Sequence, residues 1–407
     1  MKSDWFQRER TLQYSRFSLK KLLRQRGFWA RGVRPDTSGC GDSLRELATS
    51  RAVYGSAFER RCATFLAGIV ALSCSSIFAQ SLTWQPLYEP AVGGQVTSLE
   101  VSPHDSNLIV VGGDMLGIGR SSDGGANWLP AGTGLESWEI SAFTFNYEWQ
   151  NDIWVGTMHG PAKSEDYGRS WKPKTNGFPS YAWGKYTRPI QKILVDPDNP
   201  LHLLAFGGSK RWWGSNNCAN FGAVYESFDN GQSWKLISRM DADKTGNEAN
   251  VTHATYVGGS GTIIYASVSG YGVMRSDDEG NNWYARNEGL PGKDVRFIVA
   301  HPTDSGTLWC VIGGKGVYKT SDGGANWYSR NVGLETSDGS CIAVAVSNPD
   351  VLYLTGAGHA IYRSSDGGAK WTKVASAPAD NPYGWSMSFN WIAVDPANAN
   401  RAYAGSN

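Results

Sequence analysis

Residues 121–128 read Ser-Ser-Asp-Gly-Gly-Ala-Asn-Trp, and nearly the same eight residues return at 320–327 and 364–371. Three looser copies end at Trp171, Trp234 and Trp283, so Ser/Thr-x-Asp-x-Gly-x-x-Trp is written six times. A fixed period means stacked copies of one supersecondary unit. The gaps between successive box tryptophans are 43, 63, 49, 44 and 44 residues. A spacing near 44 suits a four-stranded propeller blade.

Each unit reads alike. In the fifth, "VRFIVA" (295–300) is a strand, "HPTDSG" a turn and "TLWCVIG" a second strand. "GVYKT" is the third, "SDGGAN" a tight turn, and "WYSR" opens the fourth. The runs are β-branched and aromatic and end in Gly, Asp or Pro. Nothing in 81–407 sustains a helical period. The 49 glycines, 18 tryptophans and 18 tyrosines agree with many short strands joined by tight turns.

The repeat has a structural reading. Asp123, Asp166, Asp229, Asp278, Asp322 and Asp366 accept backbone N–H groups inside the turn between third and fourth strands. The Ser or Thr hydroxyl adds a local bond, Gly takes backbone angles other residues resist, and Trp is buried between blades. The prediction is therefore an all-β, seven-bladed β-propeller over 81–407 whose last blade is incomplete. "SLTWQPLYEP" (81–90) reads as a fourth strand without its blade. "NWIAVDPANANRAYAGSN" supplies two strands of a seventh unit.

Charge divides the chain. Residues 1–80 carry 14 Lys and Arg against 6 Asp and Glu, and the rest carry 24 against 31. A propeller of net −7 without a basic stripe is a poor partner for nucleic acid. "ERRCATFLAGIVALSCSSIFAQ" (59–80) has the charged start, apolar middle and small-residue end of a signal peptide cut after Ala79. A short membrane anchor and a lipoprotein cut before Cys74 are the competing readings. The Arg-rich residues 1–58 read as disordered or as a mis-assigned start, with Val53 as the alternative start. The propeller is then secreted, periplasmic or in the cell envelope, with no membrane span once the signal is removed. Cys218, Cys310 and Cys341 follow the cut; an odd number gives no disulfide framework, and Cys310 and Cys341 read as buried thiols. No Cys/His spacing implies a metal, and no cofactor is expected.

The six copies match the Asp-box, or BNR, repeat. The chain resembles the propellers of sialidases, sortilin-type receptors, photosystem assembly factors and, most of all, the N-terminal propeller of glycoside hydrolase family 74 xyloglucanases. This resemblance covers about 84–405 and implies the fold more firmly than the function. "GGQVTSLEVSPHDSNLIVVGGDMLGIGRSSDGG" resembles the opening of family 74 enzymes. In that family the residue matching Asp114 is a catalytic carboxylate. Leu116 and Ile118 depart from the motif, and the partner carboxylate belongs to a second propeller.

Strand order sorts the loops. Asp boxes occupy one face; loops after second strands and between blades gather on the other. The second set holds Asp114, Glu136, Trp138, His159, Trp183, Trp212, Trp213, Tyr271, His359 and Trp385. Aromatic rings beside carboxylates suit sugar. Trp138, Trp183, Trp212, Trp213, Tyr271 and Trp385 are the expected platforms and Asp114 the expected catalytic carboxylate. An inverting glycosidase needs a second carboxylate about 6.5–9.5 Å away, for which Glu136, Asp241, Asp243 and Asp380 are candidates. "DADKTG" (241–246) lacks the closing Glu of a calcium loop, with Thr252 at its twelfth position. The expected partner is a polysaccharide or oligosaccharide. The alternative is a protein docked on a non-catalytic propeller.

Overall fold

The computed structural model describes residues 83–85, 95–114, 117–179, 189–208, 222–240, 250–356, 359–376 and 388–406. All 26 of the strands are antiparallel to their neighbours, and six sheets of four strands are formed. Blade one contains Val96–Val101, Ile109–Gly113, Ile118–Ser121 and Leu129–Pro130. Blade three contains Ile190–Val195, Leu203–Gly207, Ala223–Ser227 and Lys235–Arg239. Blade four contains Asn250–Val257, Ser260–Ser269, Gly272–Ser276 and Tyr284–Ala285. Blades two, five and six begin at Ile140–Phe145, Val295–Ala300 and Cys341–Val344. A seventh, closing sheet holds two strands, Phe389–Val394 and Ala402–Ser406.

The all-β propeller is what the repeat predicts. The sequence predicts seven blades with the last incomplete; among the described residues complete blades number six, and the closing sheet has two strands. First strands of successive blades pack side by side, and that of the closing sheet packs between those of blades six and one. Burial follows this radial order. The second strands Ile109–Gly113, Ile153–Thr157 and Leu203–Gly207 are buried throughout, whereas the fourth strands Leu129–Pro130 and Lys172–Pro173 are exposed. A continuous apolar run therefore marks a second strand.

The six box turns are built alike. In the first, the Ser121 hydroxyl donates to Asp123 Oδ1 at 2.8 Å and accepts the Gly125 N–H at 2.8 Å. Asp123 Oδ1 also accepts the Asn127 N–H at 2.9 Å, and Oδ2 accepts the Asn127 side-chain amide at 2.7 Å. Ser170, Ser233, Asn282 and Asn326 repeat that last bond in four further boxes. The sixth has Lys370 there, which donates only its backbone N–H to Asp366, at 2.9 Å. These bonds hold the Asp166, Asp229, Asp278 and Asp366 carboxyls below the ordinary range, and that of Asp322 at about 2.

The box glycine is required by a close approach. A Cβ on Gly231 would stand 2.2 Å from the Trp154 ring of the preceding blade. Trp154 also meets the box Trp234 edge to face, with centroids 6.1 Å apart. The next residue register of this kind, Tyr353 in blade six, meets Trp84 in the same way at 6.3 Å and 78°. Trp84 thus stands toward blade six as a box tryptophan stands toward its neighbour. Residues 83–85 carry no strand, and most of the strand expected at 81–90 lies outside the described residues.

Across the seam, Leu99, Val101 and Val111 of blade one share an apolar cluster with Ala393 and Tyr403 of the closing sheet, and polar bonds add to it. The Trp391 indole donates to the Leu99 carbonyl at 2.9 Å, Ser106 to Asp395 at 2.7 Å, and the Tyr403 hydroxyl to the Gly124 carbonyl at 3.2 Å. Cys310 and Cys341 are buried and unpaired, as expected, and burial pushes the Cys341 thiol up to about 12.

Candidate functional site

The starts of the first strands converge on a cavity of about 280 Å³ at the centre of the ring. Phe297 and Trp391, edge to face at 5.3 Å, line its apolar part. Its polar part is lined by the amides Gln95, Gln191, Asn250 and Asn390, with Glu139 and Arg296 as the charged groups. Arg296 pairs with Asp338 at 2.8 Å and more loosely with Asp294 at 3.6 Å. The volume lies near the lower end of small-molecule sites, about 300–1,000 Å³, and the mixture of flat rings and amides suits a hydroxyl-bearing ligand.

Asp114 lies beside this cavity. Its N–H donates to the Gln95 carbonyl and its Oδ1 accepts the Gln95 N–H, both at 3.1 Å. The carboxylate thus pins the loop after the second strand to the start of the first strand. Trp138 stands on the same face. Its carbonyl accepts the Gly117 N–H at 3.0 Å, and its ring covers Gly117, where an added Cβ would stand 3.1 Å from the indole. With 62% of its surface exposed, the indole is an open platform. The next residue, Glu139, lines the cavity.

The other expected residues fall elsewhere. Tyr271 is half-buried and packs on the core shared by blades three and four. Glu136 lines a separate crevice with Thr157, His159 and Pro161. His359 is exposed in a left-handed turn with φ 58°. Trp183, Trp212, Trp213 and Trp385, and the candidate carboxylates Asp241, Asp243 and Asp380, lie outside the described residues. Loop sorting passed over Gln95, Glu139, Gln191, Asn250, Arg296 and Asn390. Their signal was a polar or charged residue at the start of each inner strand.

No curated protein matches the chain by sequence. The family model described as sortilin, neurotensin receptor 3 matches residues 271–387. An ancestral GH74 enzyme is similar in structure at TM-score 0.53 and 22% identity, over 79% of this chain and 39% of that one. The GH74 enzyme of Niastella koreensis gives 0.59 and 18%, over 78% and 51%. YCF48 bound to D1 peptide gives 0.54 and 16%, over 78% of this chain and 94% of that one.

This is an Asp-box β-propeller.

The propeller spans between 39% and 51% of the lengths of those two GH74 structures. Among its described residues no helix is long and apolar enough to cross a membrane.

Proposed function

We propose that the chain is a secreted propeller that binds a glycan at the centre of the face opposite its Asp boxes. The observation that carries this reading is the central cavity lined by Phe297 and Trp391 and by amides, beside the exposed Trp138 indole. In this reading Trp138 stacks on a sugar ring, Gln95, Gln191 and Asn390 take hydroxyls, and Asp114 holds Gln95 in place. Trp183, Trp212, Trp213 and Trp385 are further sugar contacts in this reading. The signal peptide at 59–80 delivers the propeller out of the cytoplasm, and 81–407 forms the mature domain. The closing sheet counts as a seventh blade, with Trp84 and the residues after it as its fourth strand, an arrangement supported by the Trp84–Tyr353 contact.

Binding of a protein segment is the second reading. It is favoured by the match to peptide-bound YCF48 over 94% of that chain. Hydrolysis would need Asp114 and a second carboxylate at glycosidase spacing.

The test uses the secreted full-length chain, with folding checked by circular dichroism. Xyloglucan oligosaccharides are titrated against the parent and Trp138→Ala, and reducing-end release from xyloglucan is followed in the parent and Asp114→Asn. Saturable binding that weakens at least tenfold in Trp138→Ala, without release, supports the glycan-binding reading. Release abolished by Asp114→Asn makes the propeller a hydrolase. A folded parent that retains no glycan moves the assignment to a protein segment.

A further inference from the structure

A cluster of polar groups lies between blades three and four, apart from the central cavity. Three ligating atoms, one each from His202, Glu226 and Glu279, lie within 4.8 Å of one another. His202 precedes the second strand of blade three and Glu226 lies on its third, while Glu279 occupies the box turn of blade four. The imidazole is fixed: Nδ1 lies 2.8 Å from Asp196 Oδ2, and Nε2 lies 3.2 Å from Glu226 Oε1. An Asp196 carboxylate holding Nδ1–H presents Nε2 to the two glutamates, which is how a metal-binding histidine is oriented by its outer carboxylate. Phe228 stacks on the other side of the imidazole at 4.5 Å and 7°.

Two further observations point to a cation as the ligand. First, the Tyr256 hydroxyl is buried without a hydrogen-bond partner. The charged groups that act on it are the Asp196, Glu279 and Glu226 carboxylates, so it lies beside this cluster. Second, the charge is not balanced. Asp196, Glu226 and Glu279 surround one imidazole, and none of them forms an ion pair with a Lys or Arg among the described residues. Among the described residues the Glu279 carboxylate has no hydrogen-bond donor.

We propose that His202, Glu226 and Glu279 bind one divalent transition-metal ion, with Asp196 orienting the histidine. One imidazole nitrogen and two carboxylate oxygens suit Zn²⁺, which takes three protein ligands plus water at about 2.0–2.2 Å. Calcium and magnesium prefer all-oxygen sites. Ligand atoms around a tetrahedral zinc stand about 3.5 Å apart, so a short inward movement of the half-buried Glu279 completes the site. The ion would clamp blade three to blade four, adding to the hydrogen bonds that Ser238 makes with Gly280 and Trp283 and that Gly261 makes with Asp198.

The full chain, stripped with a chelator and dialysed, is titrated with Zn²⁺ alone by calorimetry, and its melting temperature is followed with Zn²⁺, Ca²⁺ or Mg²⁺. One zinc per chain is expected, with a rise in melting temperature that calcium and magnesium do not give. Glu279→Gln, on a half-buried box turn, leaves the fold intact and weakens zinc binding at least tenfold. Glu226→Gln does the same, whereas His104→Gln, outside the cluster, leaves it unchanged. Absence of a one-to-one zinc isotherm in the folded parent, or equal affinity in parent and Glu279→Gln, overturns the site.

Discussion

The two faces of this ring are built by opposite rules. On the box face the same turn is made six times, with hydroxyl, carboxylate and glycine in one hydrogen-bonded arrangement. On the loop face the described positions vary more: Asp114 pins a strand start, Trp138 lies open, and Gln95, Gln191, Asn250 and Asn390 meet at the centre. Repetition therefore encodes the scaffold, and what varies among the repeats is left for recognition.

The largest effect is expected from Trp371→Ala. The indole is 1% exposed and donates to the Arg330 carbonyl at 2.8 Å. Its removal should cost about 3–5 kcal/mol in chemical denaturation; a loss below 1 kcal/mol would mean that box tryptophans do not hold the blades together. Asp166→Ala strips a turn of bonds to the Ser164 and Ser170 hydroxyls and two backbone N–H groups. It should cost about 1–3 kcal/mol by the same assay.

Trp138→Ala sharpens the contrast from the other face. It should leave the melting temperature within 1 °C, yet weaken glycan binding about tenfold, or roughly 1.4 kcal/mol. A matched loss of stability would place Trp138 in the scaffold. The acid response belongs to the box face. Asp322 titrates at about 2 when folded and about 3.9 when unfolded. A depressed folded value contributes stability fully above the unfolded pKa, and that stability is lost as pH falls from about 4 toward 2. Melting temperatures between pH 6 and 2 should therefore fall less steeply in Asp322→Asn than in the parent. The smallest effect is a gain. Lys370→Asn supplies the side-chain donor that five boxes have and the sixth lacks, and should add about 0.5 kcal/mol.

The box face was legible because its chemistry is local. Ser121, Asp123, Gly125 and Asn127 lie within seven residues, so spelling alone predicts their bonds. The interior was legible through runs such as Ile153–Thr157, buried throughout. The inner ring was not. Gln95, Gln191 and Asn390 meet only once the blades are ordered in a circle, and nothing in their flanking residues names their neighbours. The same holds for His202, Glu226 and Glu279, which come from two blades and three turns or strands. Tyr271 reads as exposed because it sits in a glycine turn, while the fold leaves it half-buried against the core shared by blades three and four.

The seam between the closing sheet and blade one bears on how the chain reaches this shape. Within a blade, strands pair with neighbours one hairpin away, and such local contacts form early. The seam joins Leu99 to Trp391, Ser106 to Asp395 and Gly124 to Tyr403, residues some 280 to 290 positions apart. Bringing them together carries the largest loop-closure entropy in the molecule. Circularisation is therefore the final and slow event of folding, made after a row of blades already exists. In reverse, opening the ring at this seam would break three polar contacts and expose the apolar cluster in which Leu99, Val101 and Val111 of blade one pack with Ala393 and Tyr403 of the closing sheet.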